Sequence, residues 1–209
     1  MGHGTAPAGT DLDDLPPIDD GTSARIGSPT PDPVGLDAKS GGGKGGSEAS
    51  MADQILGYAR RHRGSRIGNG QCFTLVDRAL RGAHAQSAAD YGSVSPDADY
   101  TWGTSVSLSD LQPGDVIQFR DYTFHKVVVT ESDSATTTDE LDGDRPHHTA
   151  VVESVDGHGA VTVLEQNAPE GSAVTRNQLY FTGGSWTSGH RTTTVTVHGT
   201  FWFFRPEAR

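Results

Sequence analysis

The sequence predicts an α+β domain in which helices come first and an antiparallel sheet follows, behind a long polar tail. Three observations indicate this order. Apolar residues recur at helical spacing between Ala52 and Ala83, strand-like runs separated by turn residues begin at Val116, and residues 1–50 contain no aromatic side chain. We therefore predict a disordered tail and linker at 1–50 and a domain at 51–209.

The tail is rich in Gly, Pro, Asp and Ser and ends in a run of glycines, Gly41-Gly42-Gly43-Lys44-Gly45-Gly46. Such a segment cannot bury enough apolar surface to offset the entropy lost on ordering. Its composition indicates disorder and does not define a role.

Two helices are predicted at the start of the domain. Ser50 is a good N-cap, and Asp53 three residues later resembles a capping box, so a first helix should run to about Arg63. A second helix follows the turn Gly68-Asn69-Gly70 and begins at Cys72, the only cysteine. Its apolar stripe consists of Cys72, Leu75, Val76, Ala79, Leu80 and Ala83.

The remainder of the domain should form the sheet. Polar, acidic residues 132–146 are interpreted as a mobile loop, and Asp156-Gly157-His158-Gly159 as a hairpin turn. The predicted strands are Val116–Phe119, Phe124–Thr130, His148–Val155, Ala160–Gln166, Thr192–Val197 and Thr200–Phe204, with Trp202 and Phe204 on one face.

Charge and hydropathy limit the partners. A formal net charge of −11 and a pI near 5.1 disfavour nucleic acid, which requires a basic face. No apolar run approaches the length of a membrane span, and the N-terminus lacks a Sec-type signal. We expect a monomer that is cytoplasmic or exported by a specialised route.

Cys72 is a candidate nucleophile because a thiol attacks as the thiolate, and the first turn of a helix lowers the thiol pKa. The Cys72 N–H could donate to an oxyanion, and Gln71 could add its side-chain amide. The alternative is that Cys72 is simply the first core residue of the stripe, since buried free cysteines are common.

His148 is the candidate base. Strand alternation puts His148, Ala150 and Val152 on one face. Glu165 and Asn167 are two residues apart, so we expect both on the same face of the next strand, near His148. Either could orient the imidazole, and a carboxylate would also stabilise imidazolium.

Successive motifs in this chain resemble those of CHAP amidases and, less closely, NlpC-type peptidases. The resemblance runs from about Ala52 to Arg205 and lies in Gly70-Gln71-Cys72, Leu111–Phe119, His148-Thr149-Ala150-Val151-Val152 and Glu165-Gln166-Asn167. It implies a papain-like fold that cleaves amide bonds, typically in peptidoglycan peptides. By this resemblance Cys72 is the nucleophile, His148 the base, and Glu165 or Asn167 the orienting residue.

Two other functions stay open: the same residues could hydrolyse a non-wall protein or small amide, or the fold could be a catalytically silent binding module. The stretch from Phe119 to His148 is long for the CHAP family and suggests an inserted hairpin and acidic loop near the site. We expect no cofactor and no metal. The acidic residues that could bind calcium lack the EF-hand pattern: Asp139, Glu140, Asp142 and Asp144.

Overall fold

A computed structural model describes residues 49–209, so almost all of the predicted tail lies outside the described residues. The helices are α1 (Met51–Arg61), α2 (Cys72–Gly82) and the short α3 (Ala88–Tyr91). The strands are β1 (Thr104–Val106), β2 (Val116–Glu131), β3 (Thr136–Val155), β4 (Ala160–Glu165), β5 (Thr175–Tyr180), β6 (Gly184–Ser188) and β7 (Arg191–Arg205). Among residues 49–209, none of the helices has the length and apolar character needed to cross a membrane.

Both predicted helices are present. The capping box is confirmed, because the Ser50 hydroxyl accepts from the Asp53 N–H and the Asp53 carboxylate accepts from the Ser50 N–H. Helix α1 ends at Arg61, slightly before the predicted end. Helix α2 begins at Cys72 as predicted, and its buried residues match the predicted apolar stripe.

The strands form one antiparallel sheet in the order β1-β7-β2-β3-β4-β5, and β6 pairs with β7. Helices α1 and α2 contact one face, where Val116, Val151 and Leu164 point. The opposite face buries a second cluster around Ile117, which includes Ala150 and Val163. The predicted α+β class is therefore confirmed, with a sheet larger than the sequence suggested.

The predicted mobile loop at 132–146 is wrong. From Thr136 onward these residues belong to β3 and pair in register with β2, from the Glu131–Thr136 pair inward. A tight turn closes this hairpin, since the Ser132 hydroxyl donates to the Ala135 carbonyl and accepts from the Ala135 N–H. Acidic side chains are compatible with this strand because it is exposed over most of this length.

Strands β2 and β7 are each continuous where the sequence suggested two pieces. Asp121 adopts a left-handed conformation (φ 51°), and the β2–β7 register shifts between Arg120 and Thr123. As a result Phe119 and Tyr122, three residues apart, enter the same buried cluster. In the sequence this irregularity looks like a gap between two strands. In the structure it keeps the apolar side chains on both sides of Asp121 on the same buried face of the sheet. The prediction that Trp202 and Phe204 lie on one face of the sheet is confirmed.

Candidate active site

The N-terminus of α2 is fixed to the end of β4 by one buried glutamine. The Gln166 side chain accepts from the Ile67 N–H at 2.6 Å and donates to the carbonyls of Ile67 and Gln71 at 3.1 and 3.0 Å. These bonds join the loop before α2 to the strand that carries Glu165. They hold Cys72, which is partly exposed, at the first turn of the helix.

His148 lies between Cys72 and Glu165. Its Nε2 atom is 3.0 Å from Oε2 of Glu165, a distance suited to an ion pair, although the angle at the nitrogen falls outside hydrogen-bond geometry. This orientation leaves Nδ1 for the Cys72 thiol, with which the imidazole interacts. The His148 side chain is 5% exposed and that of Glu165 is fully buried.

Glu165 is itself held by two further residues. Arg145 donates to both of its carboxylate oxygens, with Nε 2.8 Å from Oε2. The Asn177 side-chain amide donates to Oε1 at 2.8 Å. A buried carboxylate is costly unless it is paired and hydrogen-bonded, and these contacts satisfy that requirement.

The protonation states of the three side chains are coupled. Burial would raise the pKa of Cys72, but His148 and the backbone N–H groups of Thr149 and Phe73 lower it below the ordinary thiol value. Burial would lower the pKa of His148, but Cys72 and Glu165 raise it to about 9. Burial would likewise raise the pKa of Glu165, but Arg145 and His148 lower it. The arrangement therefore favours a thiolate beside an imidazolium.

Asn167 does not share a face with Glu165, contrary to the expectation from alternation. It lies beyond the end of β4 with a left-handed backbone (φ 68°). Its side-chain Nδ2 donates to Oε1 of Gln71 at 3.3 Å, and its side-chain Oδ1 accepts from the Gly171 N–H. Asn167 thus contacts the residue before the cysteine, whereas Glu165 faces His148.

Gln71 lies beside Cys72 as the residue preceding α2. Its backbone N–H donates to Asn69, so the groups it could offer an oxyanion are those of its side chain. His147 has a different partner: its Nε2 lies 2.7 Å from the Ala98 carbonyl oxygen. The choice of His148 over its neighbour therefore agrees with the placement of both rings.

Cys72 and His148 open into a groove of about 820 Å³. One wall is the β3 segment Leu141–His148, and the others come from 167–170 and 177–179. A peptide could reach the thiol along this groove.

Sequence reasoning missed Arg145, Gln166 and Asn177. Gln166 stands between Glu165 and Asn167 in the quoted motif, so a buried polar residue at the end of a strand was a usable signal. Arg145 and Asn177 gave no such signal, because their contacts with Glu165 depend on how three strands are arranged.

A cysteine at a helix N-terminus, beside a histidine from an adjoining strand, defines a domain of the cysteine-proteinase type. Residues 46–183, about two thirds of the chain, match the family model described as the AIM3/BBC1 cysteine proteinase-fold domain. The chain belongs to this family. The papain-like fold is thereby confirmed, whereas the CHAP or NlpC assignment stays a prediction.

No curated protein matches the chain. Among solved structures, it is similar to the one described as the crystal structure of Ly7917, with 20% identity and a TM-score of 0.41. The similarity covers 69% of this chain and 62% of that chain, which is less than two thirds of the latter.

Proposed function

We propose that this domain is a cysteine hydrolase of amide bonds, with Cys72 as nucleophile, His148 as acid and base, and Glu165 as the residue that orients His148. The observation that carries the proposal is the placement of a buried imidazole between a thiol at a helix N-terminus and a clamped carboxylate. This arrangement supplies a nucleophile and a proton donor near neutral pH.

In the proposed reaction the Cys72 thiolate attacks the scissile carbonyl carbon. The developing oxyanion would accept from the Cys72 N–H and the Gln71 side-chain amide. Imidazolium of His148 then protonates the leaving amine, the C–N bond breaks, and a thioester forms. His148, now neutral, removes a proton from water; the resulting hydroxide attacks the thioester carbonyl, the C–S bond breaks, and the carboxylate product leaves the thiolate–imidazolium pair restored.

Two substrate classes follow from this chemistry. Peptidoglycan stem or cross-bridge peptides are the class that the CHAP resemblance favours, as an amidase or an endopeptidase. A polypeptide outside the wall is the alternative, and the length of the groove-side strand favours it. A silent binding module on the same fold would have the groove without a reactive thiol.

The test uses the purified full chain and its Cys72→Ala variant. Each is incubated with peptidoglycan sacculi and, separately, with an unfolded protein, and products are analysed by chromatography and mass spectrometry. New muropeptides or peptides that depend on Cys72 support hydrolysis and identify the class. Identical product profiles for the wild type and Cys72→Ala on both substrates would contradict the proposal.

A further inference from the structure

Strand β3 has an open edge beside the candidate nucleophile. Its partner β2 pairs with it along almost its whole length, whereas β4 pairs only with residues Val151–Val155. The segment Leu141–His147 therefore has no strand partner on its second side among residues 49–209. Alternate residues of a strand direct their N–H and C=O groups to each side, so this edge presents backbone groups that have no strand partner, although the Asp144 carbonyl accepts from Nη1 of Arg145.

The open edge forms a wall of the groove that contains Cys72. Leu141 through His148 line it, and Gln71, Cys72 and 167–170 complete it near the thiol. A chain lying along this edge would thus pass Cys72 and His148. Adding a strand to an exposed sheet edge is a common way for proteins to bind extended peptides.

The charges along the groove are predominantly negative. Asp142, Asp144 and Glu170 line it with exposed side chains, and Asp142 also contacts Nδ1 of His125 at 2.7 Å. Arg145 also lines the groove, but its positive charge is balanced by the paired carboxylate of Glu165.

The groove also offers apolar contacts, of which Leu141 is the exposed large side chain on the β3 wall. Leu141 is 49% exposed, which is unusual for a large hydrophobic residue in this domain, and it stands beside Asp142 on the groove wall. An occupant that carries both apolar and basic side chains would satisfy both neighbours.

We infer that the substrate is an extended polypeptide segment bearing basic side chains, which binds as an added strand on the open edge of β3. This inference rests on the proposed hydrolase function and narrows its substrate class. The backbone of β3 supplies affinity that does not depend on the sequence of the peptide, whereas Asp142, Asp144 and Glu170 select lysine or arginine along the bound segment. A short stem peptide cannot follow the edge over the same length.

The test measures binding in the full-chain Cys72→Ala variant, so that cleavage does not interfere. Three fluorescent peptides are compared: one alternating lysine and valine, one with glutamate replacing lysine, and the lysine peptide with alternate backbone amides methylated. We expect the lysine peptide to bind at least tenfold more tightly than the glutamate peptide. Methylation should weaken binding by a similar factor, because it removes the donors that pair with β3.

Charge variants of the protein locate the site. Adding Asp142→Asn and Asp144→Asn together should weaken binding of the lysine peptide by about threefold to tenfold, the effect of losing two exposed charge contacts. The matched control, Asp133→Asn, lies in the turn between β2 and β3 and should leave the affinity unchanged. Backbone amide shifts by NMR should be largest within 139–148.

The outcomes separate this inference from the proposed function. Equal affinity for the lysine and glutamate peptides, or no effect of methylation, overturns the inference. In that case a reactive, histidine-dependent Cys72 in the wild-type chain would still uphold the hydrolase. An unreactive Cys72 together with tight, charge-selective peptide binding would instead overturn the hydrolase, and with it the assignment of the bound peptide as a substrate.

Discussion

Arg145 and His148 are three residues apart on β3, yet both side chains reach the carboxylate of Glu165. Strict strand alternation would place them on opposite faces of the sheet. Asp121, on β2, lies opposite Pro146 and has a left-handed backbone. At this point the regular alternation of side chains between the two faces of the sheet is interrupted. The local irregularity therefore brings a cation and an imidazole to the same acid.

Replacing Arg145 with methionine should destabilise the domain. The pair is nearly dry, with side chains 11% and 0% exposed, and removing one partner of a buried pair costs about 3–5 kcal/mol. Arg120→Met is the matched control, because its partner Asp99 is largely exposed and such pairs contribute only about 0–1 kcal/mol. Urea unfolding measures both, and equal losses would contradict the buried-clamp interpretation.

Glu165 and Asn167 should differ in their effect on turnover. Glu165→Gln removes the charge that stabilises the imidazolium, so we expect kcat/KM to fall by about 10²- to 10⁴-fold. Asn167→Ala should reduce it far less, because Asn167 contacts Gln71 instead of His148. Steady-state kinetics on the identified substrate decides this, and a larger loss for Asn167→Ala would reverse the assignment.

The helix start could be predicted from the sequence because it depends on local signals. Cys72 follows a glycine-containing turn and opens an apolar stripe, and these features fix where α2 begins whatever packs against it. The face of His148 could also be predicted, since the strand alternates regularly from His148 to Val152. The contact between Arg145 and Glu165 could not be predicted, because it depends on the interrupted alternation of side chains in β3.

Two other features were inaccessible for related reasons. The assignment of Asn167 to the face of Glu165 assumed that the strand continues, whereas β4 ends at Glu165. The acidic segment at 132–146 lacks apolar alternation, so its strand structure comes from pairing with β2 instead of from its own pattern. Tertiary context outweighed local composition in both places.

Replacing Gln166 should lower the free energy of unfolding and also disturb the position of Cys72. Gln166→Met leaves the buried Ile67 N–H without a partner, at about 1–3 kcal/mol for one unsatisfied group, whereas the carbonyls of Ile67 and Gln71 still accept from the N–H groups of Gly70 and Thr74. Gln54→Met, an exposed change in α1, is the control and should be nearly neutral. Urea unfolding tests the cost, and alkylation of Cys72 in the folded Gln166→Met protein should also be slower.

The pH dependence of stability should reveal the coupled pair. The raised pKa of His148 contributes stability that is complete below about pH 6.5 and is lost as pH rises toward about 9. The lowered pKa of Cys72 acts in the opposite direction, so that its contribution is present above the ordinary thiol pKa and is lost as pH falls. In the wild type the two largely cancel, because folding moves one proton from the thiol to the imidazole.

Removing the thiol should expose the histidine contribution. In Cys72→Ala, Glu165 still acts to raise the pKa of His148 although the thiol no longer does, so the free energy of unfolding should fall as pH rises above about 6.5, over a narrower range than the wild-type pKa of about 9 implies. The double variant with His148→Ala should lose this slope. Urea unfolding at several pH values in that window provides the measurement, and the same slope in both variants would refute the coupling.

The most direct test of the central claim is the rate at which iodoacetamide alkylates Cys72 as a function of pH. The account predicts a thiol pKa clearly below its ordinary value in the wild type and, because burial then dominates, a raised pKa in His148→Ala. His147→Ala, which alters the neighbouring ring, should keep the low thiol pKa. An ordinary or raised pKa in the wild type that His148→Ala leaves unchanged would mean that Cys72 is a packing residue and that the hydrolase proposal is wrong.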